Sequence, residues 1–349
     1  MRVRFKHLFT AVLASAVVAS MTACAGGGTE TTADGKQKIK VTLTSTALSS
    51  APVLAAIAED TFADHDLAVE WTEVGGDSTK AIATVTRGQA EFATAGTATA
   101  LDSMKEGLPL RLISNVERPA LTVALRKNVA DRVEKETGVT PDSPIEERVQ
   151  ALKGLKFGAH PPGATNYTLL RAILDKYDVD ATEDLKLLPS DQRTVASSLK
   201  AGKFDAAMWS AGPLETLGDD EAVEWIATAD GDLGGFKDYL YMGAVASKEM
   251  LESDPELTEK FVASLRDGAK LVLADDAATR AAVKKKFFPT LSKDVYERTW
   301  KSAKEATVPS QGFTTREFEY TIDLTKSVYK RDYSKLSFTE IVPKFARAE

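Results

Sequence analysis

The chain has 349 residues, of which 44 are Lys or Arg and 51 are Asp or Glu, and its formal net charge is −7. An acidic chain without a basic block is a poor nucleic-acid binder, and 43% hydrophobic with 27% charged residues is typical of a globular protein of two domains. One cysteine excludes an internal disulfide, and with only three histidines (His7, His65 and His160) a metal site rich in Cys and His cannot be built.

Short catalytic and nucleotide-binding motifs are missing from the sequence. It contains no G-x-S-x-G, no G-x-x-x-x-G-K-[ST], no G-x-G-x-x-G and no H-E-x-x-H. A catalytic pair of carboxylates leaves no short motif, so this observation weakens the hypothesis of an enzyme without excluding it. We expect that the protein is not an enzyme and that it binds neither a cofactor nor a metal ion.

Residues 1–23 have the three parts of a secretory signal. Arg2, Arg4 and Lys6 precede an uncharged run at 8–20, and small residues follow it. As a helix this run spans only about 20 Å, whereas the hydrocarbon core of a bilayer is about 30 Å thick. A permanent transmembrane anchor is therefore not expected.

The string Met-Thr-Ala-Cys at residues 21–24 resembles a bacterial lipobox, with Met in the place where Leu is usual. We therefore expect cleavage before Cys24 and lipidation of its thiol, which would hold the protein on the outer side of the cell membrane. The alternative is an ordinary secretory signal with a cysteine near the cut by chance. Residues 24–37 are rich in Gly and poor in apolar residues, which predicts a flexible tether.

Strand and helix patterns alternate along the next two hundred residues. Alternating β-branched residues predict strands, and Ser, Thr, Gly or Pro ahead of Ala-rich or Leu-rich runs predict helix starts. The first series has strands at 38–45, 67–71 and 91–95 and helices from Pro52, at 75–87 and at 97–105. The second has strands at 155–160, 184–188 and 204–209 and helices at 164–177 and 191–201. Such βαβ alternation predicts two mostly parallel sheets.

The two series share an internal echo. Residues 88–93 (GQAEFA) and 202–207 (GKFDAA) both place Gly, an acid and an apolar strand after a helix. The position of the echo in both series suggests two similar lobes. Helices are predicted from Pro255 and at 277–288, 292–306 and 314–333, with Lys284, Lys285 and Lys286 on a solvated face.

Several of these segments together resemble the solute-binding proteins of ABC importers for alkanesulfonates, taurine, nitrate and the pyrimidine precursor of thiamine. The resemblance covers nearly the whole mature chain, except for a longer, more charged insert at 129–150. It rests on Ser49-Ser50-Ala51-Pro52, Gly88-x-x-Glu91-Phe92-Ala93, Leu152-Lys153-Gly154-x-x-Phe157-Gly158, Pro162-Gly163-Ala164-Thr165 and Gly202-x-Phe204-Asp205-Ala206-Ala207-x-Trp209.

The resemblance implies an α/β fold of the periplasmic-binding-protein type II class, a clamp of two lobes with two crossing hinge strands. Residues 38–120 and 241–349 would form lobe one and 121–240 lobe two, with the crossings near 121–125 and 239–246. It implies a monomer that captures a small organic solute and delivers it to an ABC permease and its ATPase.

In open α/β sheets the ligand lies beyond the carboxyl ends of the strands, where helices begin. Four such places can be located in the sequence, and Trp209 could stack on a ring of the solute. The candidate ligand-binding residues are Thr46, Ser49, Ser50, Gly96, Thr97, Gly163, Ala164, Thr165, Asn166, Trp209 and Ser210. Tyr167 and His160 are weaker candidates.

Two alternatives remain open at this site. Thr165 and Asn166 could only cap their helix, as could Ser49 and Ser50. The solute could be a sulfonate-like anion at the helix starts, but the only arginines near strand ends are Arg118 and Arg193. Because a bidentate arginine would favour an anion, its absence leaves a neutral heteroaromatic solute possible. A ligand sensor and an enzyme on the same clamp are the rival functions.

Overall fold

The computed structural model describes residues 30–228 and 231–348; the signal sequence and Cys24 lie outside them. The strands are β1 (Gln37–Leu43), β2 (Leu67–Glu73), β3 (Phe92–Gly96), β4 (Leu110–Glu117), β5 (Leu121–Arg126), β6 (Lys156–Ala159), β7 (Lys186–Pro189), β8 (Ala206–Ser210), β9 (Ala222–Ala227) and β10 (Met242–Ser247). The α-helices are α1 (Ala51–Ala58), α2 (Ser78–Thr86), α3 (Thr97–Lys105), α4 (Lys127–Thr137), α5 (Ile145–Gln150), α6 (Thr165–Lys176), α7 (Val195–Lys200), α8 (Lys248–Ser253), α9 (Pro255–Ala274), α10 (Ala277–Phe287), α11 (Lys293–Ala306), α12 (Thr315–Tyr329) and α13 (Phe338–Ile341).

The strands form two five-stranded sheets of the same topology. The first has the order β2-β1-β3-β10-β4 and the second the order β7-β6-β8-β5-β9. In the first, β10 is antiparallel to both neighbours, and in the second, β5 is. The other strands of each sheet run in one direction, so the predicted mostly parallel sheets are confirmed.

Two crossing segments of the chain connect the sheets. β4 of the first sheet leads through residues 118–120 into β5 of the second, and β9 leads through 228–241 into β10 of the first. The crossings therefore lie just before β5 and β10. The prediction at 121–125 and 239–246 was displaced, because 121–125 is paired on both sides within the second sheet.

The internal echo has a structural reason. Gly88 and Gly202 end the preceding helices with positive φ values of 65° and 74°, which a residue with a Cβ rarely adopts. The acid that follows then accepts a hydrogen bond from the backbone N–H of the neighbouring strand. Glu91 Oε2 lies 2.6 Å from Lys40 N, and Asp205 Oδ2 lies 3.0 Å from Lys156 N. The same device therefore positions β3 and β8.

The last long helix contacts both halves of the molecule. A capping box formed by Thr314 and Glu317 begins α12. Phe318 belongs to a core cluster of the first sheet, whereas Tyr320 packs against the core of the second and its hydroxyl donates to Gly235 O at 2.7 Å. Because α12 spans both lobes, its assignment to lobe one alone describes it incompletely.

Two segments of uncertain role are ordered. Residues 30–36 form a turn against β1, with Lys38 N donating to Glu30 O at 2.8 Å, so the flexible tether predicted at 24–37 does not extend to residue 37. The insert at 129–150 forms most of α4 and all of α5. Arg148 fixes α5 to the second sheet, through Asp232 at 2.9 Å and Trp225 O at 2.9 Å.

The predicted solvated lysine run of α10 is partly engaged. Lys284 donates to Leu291 O at 2.7 Å and Lys286 to Ile57 O at 3.0 Å, in the last turn of α1, where a cation is favoured. Among the described residues, no helix is both long and apolar enough to cross a membrane.

Candidate functional site

The carboxyl ends of β1, β3, β6 and β8 face each other across a cleft between the two lobes. The cleft encloses about 40 Å³, and because a cavity needs about 10–15 Å³ to hold one water molecule, it has room for only a few. Its lining residues are Thr44, Ser45, Ser49, Gly76, Ser78, Gly96, His160, Ala164, Thr165, Asn166, Gln192, Trp209, Ser210, Tyr241 and Met242.

The structure brings most of the predicted site residues together. Ser49, Gly96, Ala164, Thr165, Asn166, Trp209 and Ser210 line the cleft. Four others do not line it: Thr46 is half-buried beside it, Ser50 and Thr97 are fully buried directly behind lining residues, and Gly163 lies in the larger groove at its mouth. A role in binding stays a prediction for all eleven.

The lobes touch closely at Gly96 and Thr165. An ideal Cβ added to Gly96 would lie 2.2 Å from Thr165 Oγ1, although Gly96 itself has the ordinary backbone angles φ −60° and ψ 128°. Gly96 N donates to Ser78 Oγ at 2.9 Å, and Thr99 Oγ1 donates to Gly163 O at 3.3 Å across the cleft. The absence of a side chain at position 96 is therefore what permits this approach.

The hydroxyl groups at the helix starts do not cap their helices. Ser50, the N-cap of α1, accepts no capping hydrogen bond with its side chain, and Thr97 and Thr165 are the first residues of α3 and α6, after the N-caps Gly96 and Ala164. Thr165 Oγ1, Thr97 Oγ1 and Ser50 Oγ are buried without a partner among the described residues, and Asn166 Oδ1 instead accepts from the Tyr241 hydroxyl at 2.5 Å. These groups therefore have unused hydrogen-bonding capacity, and leaving such a group buried and unsatisfied costs about 1–3 kcal/mol.

An aromatic pair forms one wall of the cleft. The His160 and Trp209 rings stack with centroids 3.7 Å apart and planes at 24°. Burial lowers the pKa of His160 to about 4, so its imidazole is neutral near pH 7. His160 Nε2 is a further buried polar atom without a partner in the described chain. Tyr167, in contrast, is buried outside the cleft lining.

The cleft lining contains no Lys, Arg, Asp or Glu among the residues that the structure describes. Arg118 lines a separate cavity of about 330 Å³ behind the hinge. Arg193 is exposed at the mouth, where Nη2 lies 3.9 Å from Glu73 Oε2 of the other lobe. Neither arginine therefore supplies charge to the cleft.

Several lining residues were not predicted. Thr44, Ser45, Gly76 and Ser78 belong to loops next to predicted ones, so the strand-end rule could have found them. Gln192 and Met242 carry no signal of their own. Tyr241 reaches the cleft from the second crossing, whose backbone bonds the start of α3 through Thr97 N and Tyr241 O at 2.9 Å.

Groups of three or more His, Cys, Asp and Glu side chains that could hold a metal ion do not occur within residues 30–228 and 231–348. The cleft therefore offers hydroxyl, amide, imidazole and aromatic groups to a ligand.

Comparison with known proteins agrees with this geometry. The sequence profile described as "NMT1/THI5 like" matches residues 48–278. The chain belongs to the NMT1/THI5-like family. No curated protein sequence matches it significantly.

Solved structures of the same fold include members of ABC import systems. A Bordetella bronchiseptica RB50 protein has a TM-score of 0.71 at 16% identity, covering 88% of this chain and 95% of its own. The periplasmic aliphatic sulphonate binding protein SsuA of Escherichia coli has 0.64 at 13%, covering 87% and 94%. The periplasmic nitrate-binding protein NrtA of Synechocystis PCC 6803 has 0.60 at 15%, covering 75% and 69%. The predicted family resemblance and the two-lobed periplasmic-binding-protein fold are confirmed for this NMT1/THI5-like chain.

Proposed function

We propose that the protein is the extracytoplasmic solute-binding lipoprotein of an ABC import system, and that its solute is a small, uncharged heteroaromatic compound. The observation that carries this proposal is the set of buried, unpartnered polar groups at the cleft. His160 and Thr165, which line the cleft, have such atoms, and Ser50 and Thr97 have them directly behind the lining of the other lobe. A solute held between the lobes would satisfy the groups of His160 and Thr165.

The chemistry of the cleft favours an uncharged ring over an anion. The His160–Trp209 stack supplies a flat surface for a ring, and the lining has no cationic side chain in the described chain. Amides of Asn166 and Gln192 can both donate and accept hydrogen bonds, which suits ring nitrogens and exocyclic substituents. A pyrimidine precursor of thiamine is one solute of this class.

A sulfonate-like anion is the second candidate. Three helices, α1, α3 and α6, begin at or beside the cleft, and their N-termini favour negative charge. The free hydroxyl group of Thr165, which lines the cleft, could donate to an anionic oxygen. The sulfonate and nitrate named for the structural neighbours belong to this class.

Binding requires the lobes to separate. The lobes approach closely at Gly96 and Thr165 and are bonded across the cleft by Thr99 and Gly163, so the solute would enter an opened cleft and be enclosed when the lobes close. Closure is also what a permease could recognise, because only a difference between open and closed forms reports occupancy. Lipidated Cys24 would keep the clamp near the permease and its ATPase.

A thermal-shift screen of heteroaromatic compounds, sulfonates and nitrate tests the solute class. A true ligand at 100 times its Kd should stabilise the protein by about 2.7 kcal/mol. The isosteric Thr165→Val variant should weaken binding by about tenfold, whereas Thr168→Val should not, because Thr168 is bonded to Ala164 O and to the Tyr329 hydroxyl away from the cleft. A panel in which only sulfonates or nitrate shift melting would favour the second candidate.

Recovery of the bound compound separates transport from the rival functions. Mass spectrometry of the solute after release should find it unaltered, whereas an enzyme would return a product. Cys24→Ala should leave soluble or uncleaved protein, and membrane retention of a cleaved Cys24→Ala chain would contradict the lipid anchor. Uptake of the solute should be lost in cells that lack the protein, while a sensor would alter only a downstream response.

A further inference from the structure

The cavity of about 330 Å³ behind the hinge lies between helix α11 and the second sheet. Tyr296 and Trp300 pack one face of α11 into the core of the first sheet. The opposite face of the helix, whose residues are spaced by three and four, lines the cavity with Arg298, Lys301, Ser302 and Glu305. Leu121, Thr122 and Glu224 line it from β5 and β9. Both halves of the molecule therefore bound this cavity.

Two lysines of the cavity have no counter-ion. Lys237 belongs to the second crossing and Lys301 to α11, so they reach the cavity from different walls. Neither forms an ion pair or a hydrogen bond within the part of the chain that the structure describes. Both side chains are exposed and hydrated, so they lie at the rim of the cavity rather than in its interior. Two ammonium groups at one rim favour an anion between them.

The acids of the lining do not neutralise these lysines. Glu215 uses both carboxylate oxygens within its own lobe, since Oε1 accepts from the Thr122 hydroxyl at 2.9 Å and Oε2 from Gly212 N at 2.8 Å. Glu305 lies one helical turn after Lys301 without forming a salt bridge to it. The lining has four basic and three acidic side chains in all, and of the basic ones Arg118 pairs with Glu317 at 3.9 Å.

The interior of the cavity is largely apolar. Its apolar lining residues are Pro119, Ala120, Leu121, Ala211, Leu233 and Ala306. Its volume is at the lower end of the range of about 300–1,000 Å³ that is typical of small-molecule sites, which are mostly apolar with a few polar groups. An apolar interior with ammonium groups at the rim is complementary to an organic anion. The cleft, whose described lining has no cationic side chain, lacks this complementarity.

The cavity and the cleft lie on opposite sides of the crossings. No described residue lines both. The cleft is lined from the ends of β1, β3, β6 and β8, whereas the cavity is lined from β5, from edge strand β9 and from the segment that follows edge strand β4. A rotation about the crossings that opens the cleft therefore brings α11 and β9 together and narrows the cavity. A molecule that fills the cavity would hinder this rotation.

We propose that the cavity behind the hinge is an effector site, which binds a small organic anion with an apolar body and thereby favours the closed form. The anionic group lies between Lys237 and Lys301, and the apolar body contacts Leu121, Leu233 and Ala306. Because coupling between two sites is reciprocal, the anion and the solute strengthen each other's binding by the same factor. This inference goes beyond the proposed function and holds for either solute class.

A matched pair of compounds tests the site itself. Isothermal titration of the full protein in mild detergent would compare cyclohexanecarboxylate with the uncharged cyclohexanecarboxamide, which has nearly the same shape. The wild-type protein should bind the carboxylate about five- to tenfold more tightly, because each exposed ion pair contributes up to about a factor of five. The double variant Lys237→Met/Lys301→Met should abolish this preference, and Lys237→Arg/Lys301→Arg should retain it within about threefold.

A second double variant controls for the loss of net charge. Lys293 and Lys335 are exposed and lie outside the cavity lining, and Lys293→Met/Lys335→Met removes the same two charges. This variant should retain the preference for the carboxylate. All four lysines are exposed, so none of these variants should change the melting temperature appreciably.

Small-angle X-ray scattering of the solute-free protein tests the coupling to closure. Saturating cyclohexanecarboxylate should lower the radius of gyration. Ser302→Phe should lower it without the anion, because the new ring extends from α11 into the cavity. Ser327→Phe, at an exposed position of α12, is the matched control and should have no effect.

The opposite results would contradict separate parts of the proposal. Equal wild-type affinity for the two compounds, or an unchanged preference in Lys237→Met/Lys301→Met, would overturn the anion site. An unchanged or larger radius of gyration, or weaker binding of the solute in the presence of cyclohexanecarboxylate, would overturn the effector role. Each of these results would leave the proposed function standing, and a failure to find any solute of the cleft would leave the titrations with the two compounds valid.

Discussion

A single added methyl group at Gly96 should hinder closure without disturbing either lobe. Gly96 has backbone angles that alanine adopts freely, and within lobe one the new Cβ would lie 3.3 Å from Ser78 Oγ, a contact that a small shift of that side chain relieves. The new Cβ would lie 2.2 Å from Thr165 Oγ1 and 3.0 Å from Thr165 Cβ, both in lobe two. The first distance is about 1 Å shorter than van der Waals contact. The lobes must therefore remain slightly apart, or Thr165 must rotate.

The size of the effect follows from the cost of overpacking. Inserting a methyl group into a closely packed contact typically costs about 1–3 kcal/mol. If that cost falls on the closed form alone, the apparent Kd for the solute rises by about 5- to 150-fold. The free protein can relieve the contact by opening, so its melting temperature should change little.

Titration calorimetry gives the Kd, and small-angle X-ray scattering gives the lobe separation. Gly96→Ala should raise the Kd and the radius of gyration of the solute-bound form, and adding Thr165→Ala, which removes the clash, should restore the radius of gyration. Gly234→Ala is the matched control, because a Cβ at Gly234 would meet no atom within 4 Å. A lowered melting temperature with unchanged affinity would refute the reasoning, since position 96 would then be a core contact rather than a closure contact.

Three further predictions concern buried polar groups. The pKa of His160 is about 4 in the folded state and 6.5 in the unfolded state, so the unfolded state binds a proton first as the pH falls. The free energy of unfolding should therefore be constant above pH 6.5 and fall by about 3 kcal/mol between pH 6.5 and 4. His160→Gln should remove that slope in denaturant titrations. Thr165→Val, which removes an unpartnered hydroxyl group at the cleft, should leave the free energy of unfolding unchanged or raised while weakening solute binding, whereas Thr168→Val should lower that free energy by about 1–2 kcal/mol. Arg148→Ala should lower the free energy of unfolding in urea by about 3–5 kcal/mol, because it leaves Asp232 buried without the cation that neutralises it. The double variant Arg148→Met/Asp232→Leu should recover most of that loss. An equal loss in both variants would show that the ion pair is not the cause.

Local signals were sufficient for most of the fold. Pro52 and Pro255 start helices where proline at the first turn predicts them, and β1, β2 and β3 lie within two residues of the predicted strands. The paired echo of Gly88 and Gly202 correctly indicated two similar sheets, because the same turn and the same acid-to-backbone bond recur in each.

Long-range pairing was not predictable from such signals. β4 pairs with β10, which follows it by more than a hundred residues, and β9 pairs with β5. Neither β4 nor β9 was predicted, since their places in the sheets depend on strands that arrive through the crossings. The same cause displaced the predicted crossings into β5 and β10.

The candidate site likewise contains residues that local sequence signals located and residues that they did not. Helix starts and strand ends located Ser49, Gly96 and Thr165, because their positions follow from the βαβ pattern alone. Tyr241 could not be located in this way, since it reaches the cleft from the second crossing. Whether a serine or threonine caps its helix or stays unpartnered also depends on how closely the opposite lobe approaches, which no local pattern determines.

The two crossing segments link the cleft to its own opening. All strands of the second sheet lie between the segments 118–120 and 228–241, so these two segments join it to the first sheet, and mutual hydrogen bonds of Leu121 and Thr228 hold their ends together. A rotation about these segments leaves every sheet pairing intact, because all ladder bonds lie within one sheet or the other. Tyr241 and Met242 lie where the second crossing enters β10 and so form the floor of the cleft near the axis, where opening moves them least. A solute bound first to the floor could therefore keep those contacts while Thr165 and its lobe close over it.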